Sequence, residues 1–201
     1  MKIQSKMPET NDRLHIALMD SGWVPMKEPK NLITAILLSI PLMFISTLIS
    51  LVIINIVSGL SWEEFGLTAV SLSFTIHLGI LLWIVILLMF HEILHLVFVP
   101  NFLSSNKTFM GLTYFGGYVL SEEKFSKTRY LVITLAPFVI ISMILPVLLS
   151  MIGLLTSTMK FLILLNAAAS SVDLLYVFLV VKQVPNNSMV RNNGTKMYWR
   201  N

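Results

Sequence analysis

His91, Glu92 and His95 stand in the run His91-Glu92-Ile93-Leu94-His95, an H-E-x-x-H arrangement inside a long apolar block. Residues four apart share one face of a helix, so both imidazoles can be aimed at a single ion. Glu92 flanks them, placed to take a proton from a water held on that ion. The competing reading is a pair of buried histidines bonded to backbone or to each other, which leaves the carboxylate between them without a purpose. An open zinc site of the catalytic kind uses three protein ligands and keeps a fourth position for water. The chain has no cysteine, so the third ligand has to be His, Asp or Glu.

Ionisable side chains inside the apolar blocks narrow that choice, because such groups are costly in a bilayer and mark functional sites. The first and third blocks contain none; the second holds His77, His91, Glu92 and His95, and the fourth holds only Asp173. His77 lies about 21 Å from His91 along one helix, which excludes it as a co-ligand and leaves it a packed or hydrogen-bonded core histidine. Counted from block ends near Pro100 and Lys182, the two histidines lie roughly 8 to 14 Å deep and Asp173 roughly 14 Å deep. Asp173 is therefore the expected third ligand. A metal would compensate a carboxylate at that depth; the alternative is an Asp paired only with a histidine or an Asn.

Asn166 shares a helix face with Asp173, with Ser170 between them. Its amide can hold a substrate carbonyl or the oxyanion formed from it, or it can bond one helix to another. Ala167-Ala168-Ala169-Ser170-Ser171 is small enough to let the fourth span approach the second closely.

The elements that must position these residues follow from composition. Of 201 residues 56% are hydrophobic and 12% charged, about half the charged share of a soluble domain. An ordinary cytosolic domain, a disordered chain and a secreted disulfide scaffold are excluded. The expectation is a single integral membrane domain over 1–201, all-α, with four transmembrane helices at 32–57, 67–99, 130–155 and 161–181, each long enough to span. Segment 1–31 begins with too long a polar stretch for a cleavable signal peptide and is expected to be retained. It carries a short helix around Arg13 to Ser21, and Trp23 near the membrane surface.

The net charge of +4 reads as a topology signal and not as a nucleic-acid footprint. There is no Gly-rich phosphate loop, RNA-binding aromatic motif or basic helix. Lys2, Lys6, Arg13, Lys27 and Lys30 precede the first block, Lys107, Lys124, Lys127 and Arg129 lie in 100–129, and Lys182, Arg191, Lys196 and Arg200 in the tail 182–201. Lys160 stands alone between the third and fourth blocks, while the first connection has only Glu63 and Glu64. By the positive-inside rule both termini, the loop 100–129 and the tail are cytoplasmic. Within that loop Thr108 to Leu120 is β-branched and aromatic around Gly116-Gly117, which predicts a β-hairpin between helices two and three. Such a hairpin either caps the membrane domain or offers a strand edge to an extended peptide.

These residues resemble the site-2 protease class of intramembrane metalloproteases, which carry H-E-x-x-H on one membrane helix and an Asn followed by a ligating Asp on another. The counterparts are His91, Glu92 and His95, then Asn166 and Asp173. The Asp segment of that class usually has prolines and an Asp-Gly, whereas here Asp173-Leu174 stands without a nearby proline. A closer resemblance, over most of the chain, is to small bacterial four-helix membrane proteins grouped as zincin peptidases (domain of unknown function 3267). Gly22-Trp23, Glu28-Pro29-Lys30-Asn31, Ala136-Pro137 and the stretch from Asn166 to Asp173 carry it. The resemblance implies a multi-pass protein of the bacterial cytoplasmic membrane.

The function expected is intramembrane zinc proteolysis of membrane-embedded or membrane-adjacent segments. His91, His95 and Asp173 would hold Zn²⁺, Glu92 would act as general base, and Asn166 would steady the substrate. The expected partners are the lipid bilayer and a membrane protein or peptide substrate, with no nucleic acid; the oligomeric state leaves no trace. The alternatives are a structural or sensing zinc site, a divalent-metal transporter, and an inactive relative that binds partners. The lack of ionisable residues in spans one and three weighs against transport, and the intact Glu92 against inactivity.

Overall fold

A computed structural model of the chain describes residues 1–4, 6–65, 78–113 and 116–201. The N-terminal part holds β1 (Lys2–Ile3), α1 (Asp12–Asp20), β2 (Val24–Pro25) and α2 (Leu32–Ser58), and a 3-10 turn follows at Trp62–Phe65. Next come α3 (Leu78–Val97), β3 (Thr108–Thr113), β4 (Gly116–Ser121), β5 (Lys124–Ser126) and α4 (Lys127–Pro137). A π-helical stretch, Phe138–Ile144, leads into α5 (Leu145–Met151), then α6 (Ser157–Ala169), α7 (Ser171–Gln183), β6 (Met189–Asn193) and β7 (Lys196–Arg200). His77 lies outside the described residues.

Among the described residues, four helical stretches are long and apolar enough to cross a membrane: Leu32–Ser58, Gly79–Val97, Lys127–Met151 and Ser157–Gln183. That is consistent with a multi-pass membrane protein. Local chemistry sets their ends. Asn31, Ser126 and Thr156 cap the starts of α2, α4 and α6 with side-chain oxygens, satisfying amides that a helix start leaves free. Leu37, Phe44, Leu48, Ile56 and Leu82 point outward and are exposed, an apolar belt of the kind lipid covers.

The inner faces are small and hydroxyl-bearing. Ser46 Oγ donates to the Ala167 carbonyl at 2.7 Å and Ser50 Oγ to the Ser142 carbonyl at 2.6 Å, while Ser39 and Ser171 hydroxyls meet at 3.2 Å. The small residues of 167–171 thus draw the fourth span onto the first, and the same span also meets the second, as the sequence suggests, at Asn166 and Asp173. The fourth span is interrupted at Ser170, whose amide and hydroxyl both bond the Asn166 carbonyl. That turn puts Asp173 in the opening turn of α7.

Two sheets lie at the other end of these helices from the 3-10 turn. The first has the order β1-β3-β4, with β3 and β4 paired antiparallel from Thr108↔Ser121 to Thr113↔Gly116. This is the hairpin the sequence predicts. The second, β2-β7-β6-β5, corrects the all-α expectation. The polar tail folds as a hairpin whose loop opens on Gly194, with φ +56, the left-handed backbone a two-residue turn demands. Val190, Met197 and Phe125 pack from this sheet onto Ile133 and Val180 of the helices and onto Val99 just beyond α3. Trp23 is 3% exposed, packed with Leu18 and Tyr198 and covered by the Arg200 guanidinium at 5.3 Å. Lys160, the single basic residue of its connection, pairs with an acid of the first connection. Its ammonium is buried at 2.8 Å from Glu64 and also bonds the Gly59 carbonyl, and the Lys160–Glu64 hydrogen bond holds the Glu64 carboxyl below its ordinary range.

Candidate metal centre

His91 and His95 occupy the last two turns of α3, and Asp173 the first turn of α7. His91 Nε2 lies 3.2 Å from Asp173 Oδ2, and His95 Nε2 lies 3.6 Å from Asp173 Oδ1. One ligand atom from each of the three residues falls within 4.8 Å of the others. The imidazoles meet edge to face, with centroids 5.0 Å apart, as two rings aimed at a common point must.

The outer nitrogens fix which lone pairs are free. His95 Nδ1 sits 2.8 Å from the Ile133 carbonyl, which can only accept, so Nδ1 carries the proton and the neutral ring keeps its lone pair on Nε2. That carbonyl is available because Pro137, four residues on, has no N–H to give it. His91 Nδ1 lies 2.9 Å from Asn166 Oδ1. Asn166 Nδ2 donates to the Pro137 carbonyl at 3.3 Å and to Ser142 Oγ at 2.8 Å, so its oxygen is the acceptor and His91 also presents a bare Nε2. Two imidazole nitrogens with fixed tautomers and one carboxylate are a donor set that fits zinc.

Asn166 bonds neighbouring helices, the second of the two uses that the sequence offers. It is 1% exposed, and both amide hydrogens and the oxygen are spent on protein partners. It orients His91 and directs no hydrogen at the cavity.

Glu92 is half-buried and lines, with both histidines and Asp173, one cavity of about 880 Å³. β4 passes beside it: a Cβ built on Gly117 would stand 2.5 Å from Glu92 Cγ and 3.0 Å from Oε1. The cavity runs from this end, past Tyr130 and Tyr176, to Glu28 and the β2–β7 sheet. Burial pushes the Glu28 carboxyl up to about 7, against the pull of the Met197 N–H and of Lys196.

A family model described as "Putative zincin peptidase" matches residues 82–189, just over half of the chain. The chain belongs to this zincin peptidase family. Among curated proteins and among solved structures none matches. The matched stretch of the zincin peptidase contains the two histidines, Glu92, the β3–β4 hairpin, Asn166 and Asp173. Membership makes zinc the metal that the His-His-Asp cluster suits, and peptidase chemistry the class of activity.

Sequence reasoning gave no site role to four residues of this zincin peptidase. Ile133 and Ser142 act through a carbonyl and a hydroxyl, which carry no motif. Pro137 did leave a signal, since a proline inside a membrane helix frees the carbonyl four residues before it. Gly117 was visible only as part of a hairpin.

Proposed function

We propose that the chain is an intramembrane zinc metalloprotease acting on membrane-embedded or membrane-adjacent segments. The convergence of His91 Nε2, His95 Nε2 and the Asp173 carboxylate beside Glu92, at the end of a cavity within apolar helices, carries this reading. Zn²⁺ bound to these donors supplies a Lewis acid and brings the ionisation of water toward about pH 7. Glu92 takes the proton of the attacking water and returns it to the leaving amine. Asn166 and the Ile133 carbonyl hold the two imidazoles in the tautomer that ligates. A closed structural zinc site would have no need of a cavity reaching its donors.

The substrate has to be extended, because the carbonyls of a helix are already bonded and shielded. β4 is the outer strand of its sheet, and Gly116, Gly117 and Val119 line the cavity. A substrate strand added along β4 passes beside Glu92. The Lys and Arg distribution supports cytoplasmic termini and a site opening on that side.

The test is cleavage of unstructured, membrane-adjacent peptides by the zinc-loaded chain in detergent or liposomes. Wild type is expected to cut, and Glu92→Gln to keep its zinc and cut nothing. Cleavage by Glu92→Gln contradicts the mechanism.

A further inference from the structure

The outer end of the cavity is built differently from the metal end. Glu28 lines it, with Oε2 accepting the Met197 N–H at 2.9 Å. Among the described residues no Lys, Arg or His forms an ion pair with this carboxylate. Lys30 and Lys196 also line the cavity, but both are exposed at its rim, where water and salt screen them. A carboxylate drawn into a wall without a counter-ion is costly, and such groups gather where a ligand brings the missing charge. Burial holds Glu28 near the point where a cation's arrival would ionise it.

Two partly exposed phenol rings share this end: Tyr130 and Tyr176 line the cavity, and the charge of Glu28 is felt by both. Tyr130 lies one turn before Ile133 on α4, and Tyr176 one turn after Asp173 on α7. Each step is about 4.5 Å along its helix, and both lead from the metal centre toward the β2–β7 sheet. An unpaired carboxylate among aromatic faces is the chemistry that holds an ammonium or a guanidinium.

We infer that Glu28, with the rings of Tyr130 and Tyr176, reads a Lys or Arg side chain of the peptide whose backbone lies at the metal centre. This rests on the protease reading for what brings the peptide there. The substrate class is then an extended segment with a basic residue a few positions from the bond that is cut. Membrane segments with basic flanks at the cytoplasmic boundary have this form.

Binding separates this inference from catalysis. The full-length chain carrying Glu92→Gln, in detergent with zinc, is titrated with fluorescein-labelled ten-residue Gly/Ser/Val peptides in which one position is Lys, norleucine or Glu, walked along the sequence. At one register the Lys peptide is expected to bind roughly tenfold or more tighter than the norleucine peptide. Adding Glu28→Gln should abolish that preference while the amide oxygen keeps the Met197 bond, and Tyr176→Leu should weaken it. Equal binding of Lys and norleucine peptides at every register overturns the inference, even if wild type cuts both. A Lys preference that survives both variants overturns it as well. A preference lost in Glu28→Gln, with no cleavage by wild type, upholds the cation site and removes the protease reading.

Discussion

Gly117 and Glu92 touch across the gap between strand and membrane helix: a Cβ at position 117 would lie 2.5 Å from Glu92 Cγ. The hairpin is therefore seated on the carboxylate that the proposed reaction uses. Only glycine lets β4 come this close without displacing Glu92.

Gly117→Val is expected to lower peptide cleavage by about a hundredfold, the effect of moving a reacting group by about 1 Å. Zinc content should not change, since Gly117 touches no donor. Parallel activity and metal assays check this. A variant with normal activity means that the seat of β4 on Glu92 has no part in the reaction.

Asn166→Ala removes the acceptor for His91 Nδ1–H and the amide N–H groups that Ser142 Oγ and the Pro137 carbonyl accept. Loss of such an outer partner weakens a metal site by roughly ten- to a hundredfold. A zinc-chelator competition titration reads it directly. If Asn166 served the substrate instead, zinc affinity would hold and only cleavage would fall.

Pro137→Ala supplies an N–H that competes with His95 for the Ile133 carbonyl. The expected result is zinc binding weakened about tenfold in a chain at least as thermally stable as wild type, because a helix-interior proline is replaced. Unchanged zinc affinity would mean that the His95–Ile133 bond survives the competition.

Which of these features the sequence made legible follows from how each one signals. The three donors stood out because a charged or imidazole side chain is rare in an apolar block, and a motif spacing of four fixes a helix face. The hairpin announced itself through β-branched and aromatic residues around Gly116-Gly117. Asn166 was legible as a polar residue near Asp173, but not its partner: whether an amide faces a cavity or a histidine depends on the crossing of two spans. The second sheet was hidden because β2 and β5 are two and three residues long, too short for any alternation to show. Their order comes from registering against β7 and β6. The tail did contain Asn193-Gly194, a hairpin signal that its polar neighbours masked. The Lys160–Glu64 pair joins residues far apart in the chain, which no local pattern can connect.

Glu28 makes stability depend on pH. Burial raises its carboxyl from an ordinary value near 4.5 to about 7. In that interval the folded chain binds more protons than the unfolded one, so its contribution is full below about pH 4.5 and is lost as pH rises through about 7. Thermal unfolding in detergent from pH 5 to 8 should show wild type losing stability relative to Glu28→Gln. Parallel curves for the two would contradict a buried, unpaired Glu28.

The most direct test is metal content per chain, by elemental analysis of detergent-purified wild type beside His95→Ala and Asp173→Ala. The expected result is about one zinc in wild type, lost or sharply reduced in both variants. Zinc retained by Asp173→Ala would put the third ligand elsewhere. A wild type carrying no metal, prepared without chelators, would make His91 and His95 structural and contradict the zinc protease outright.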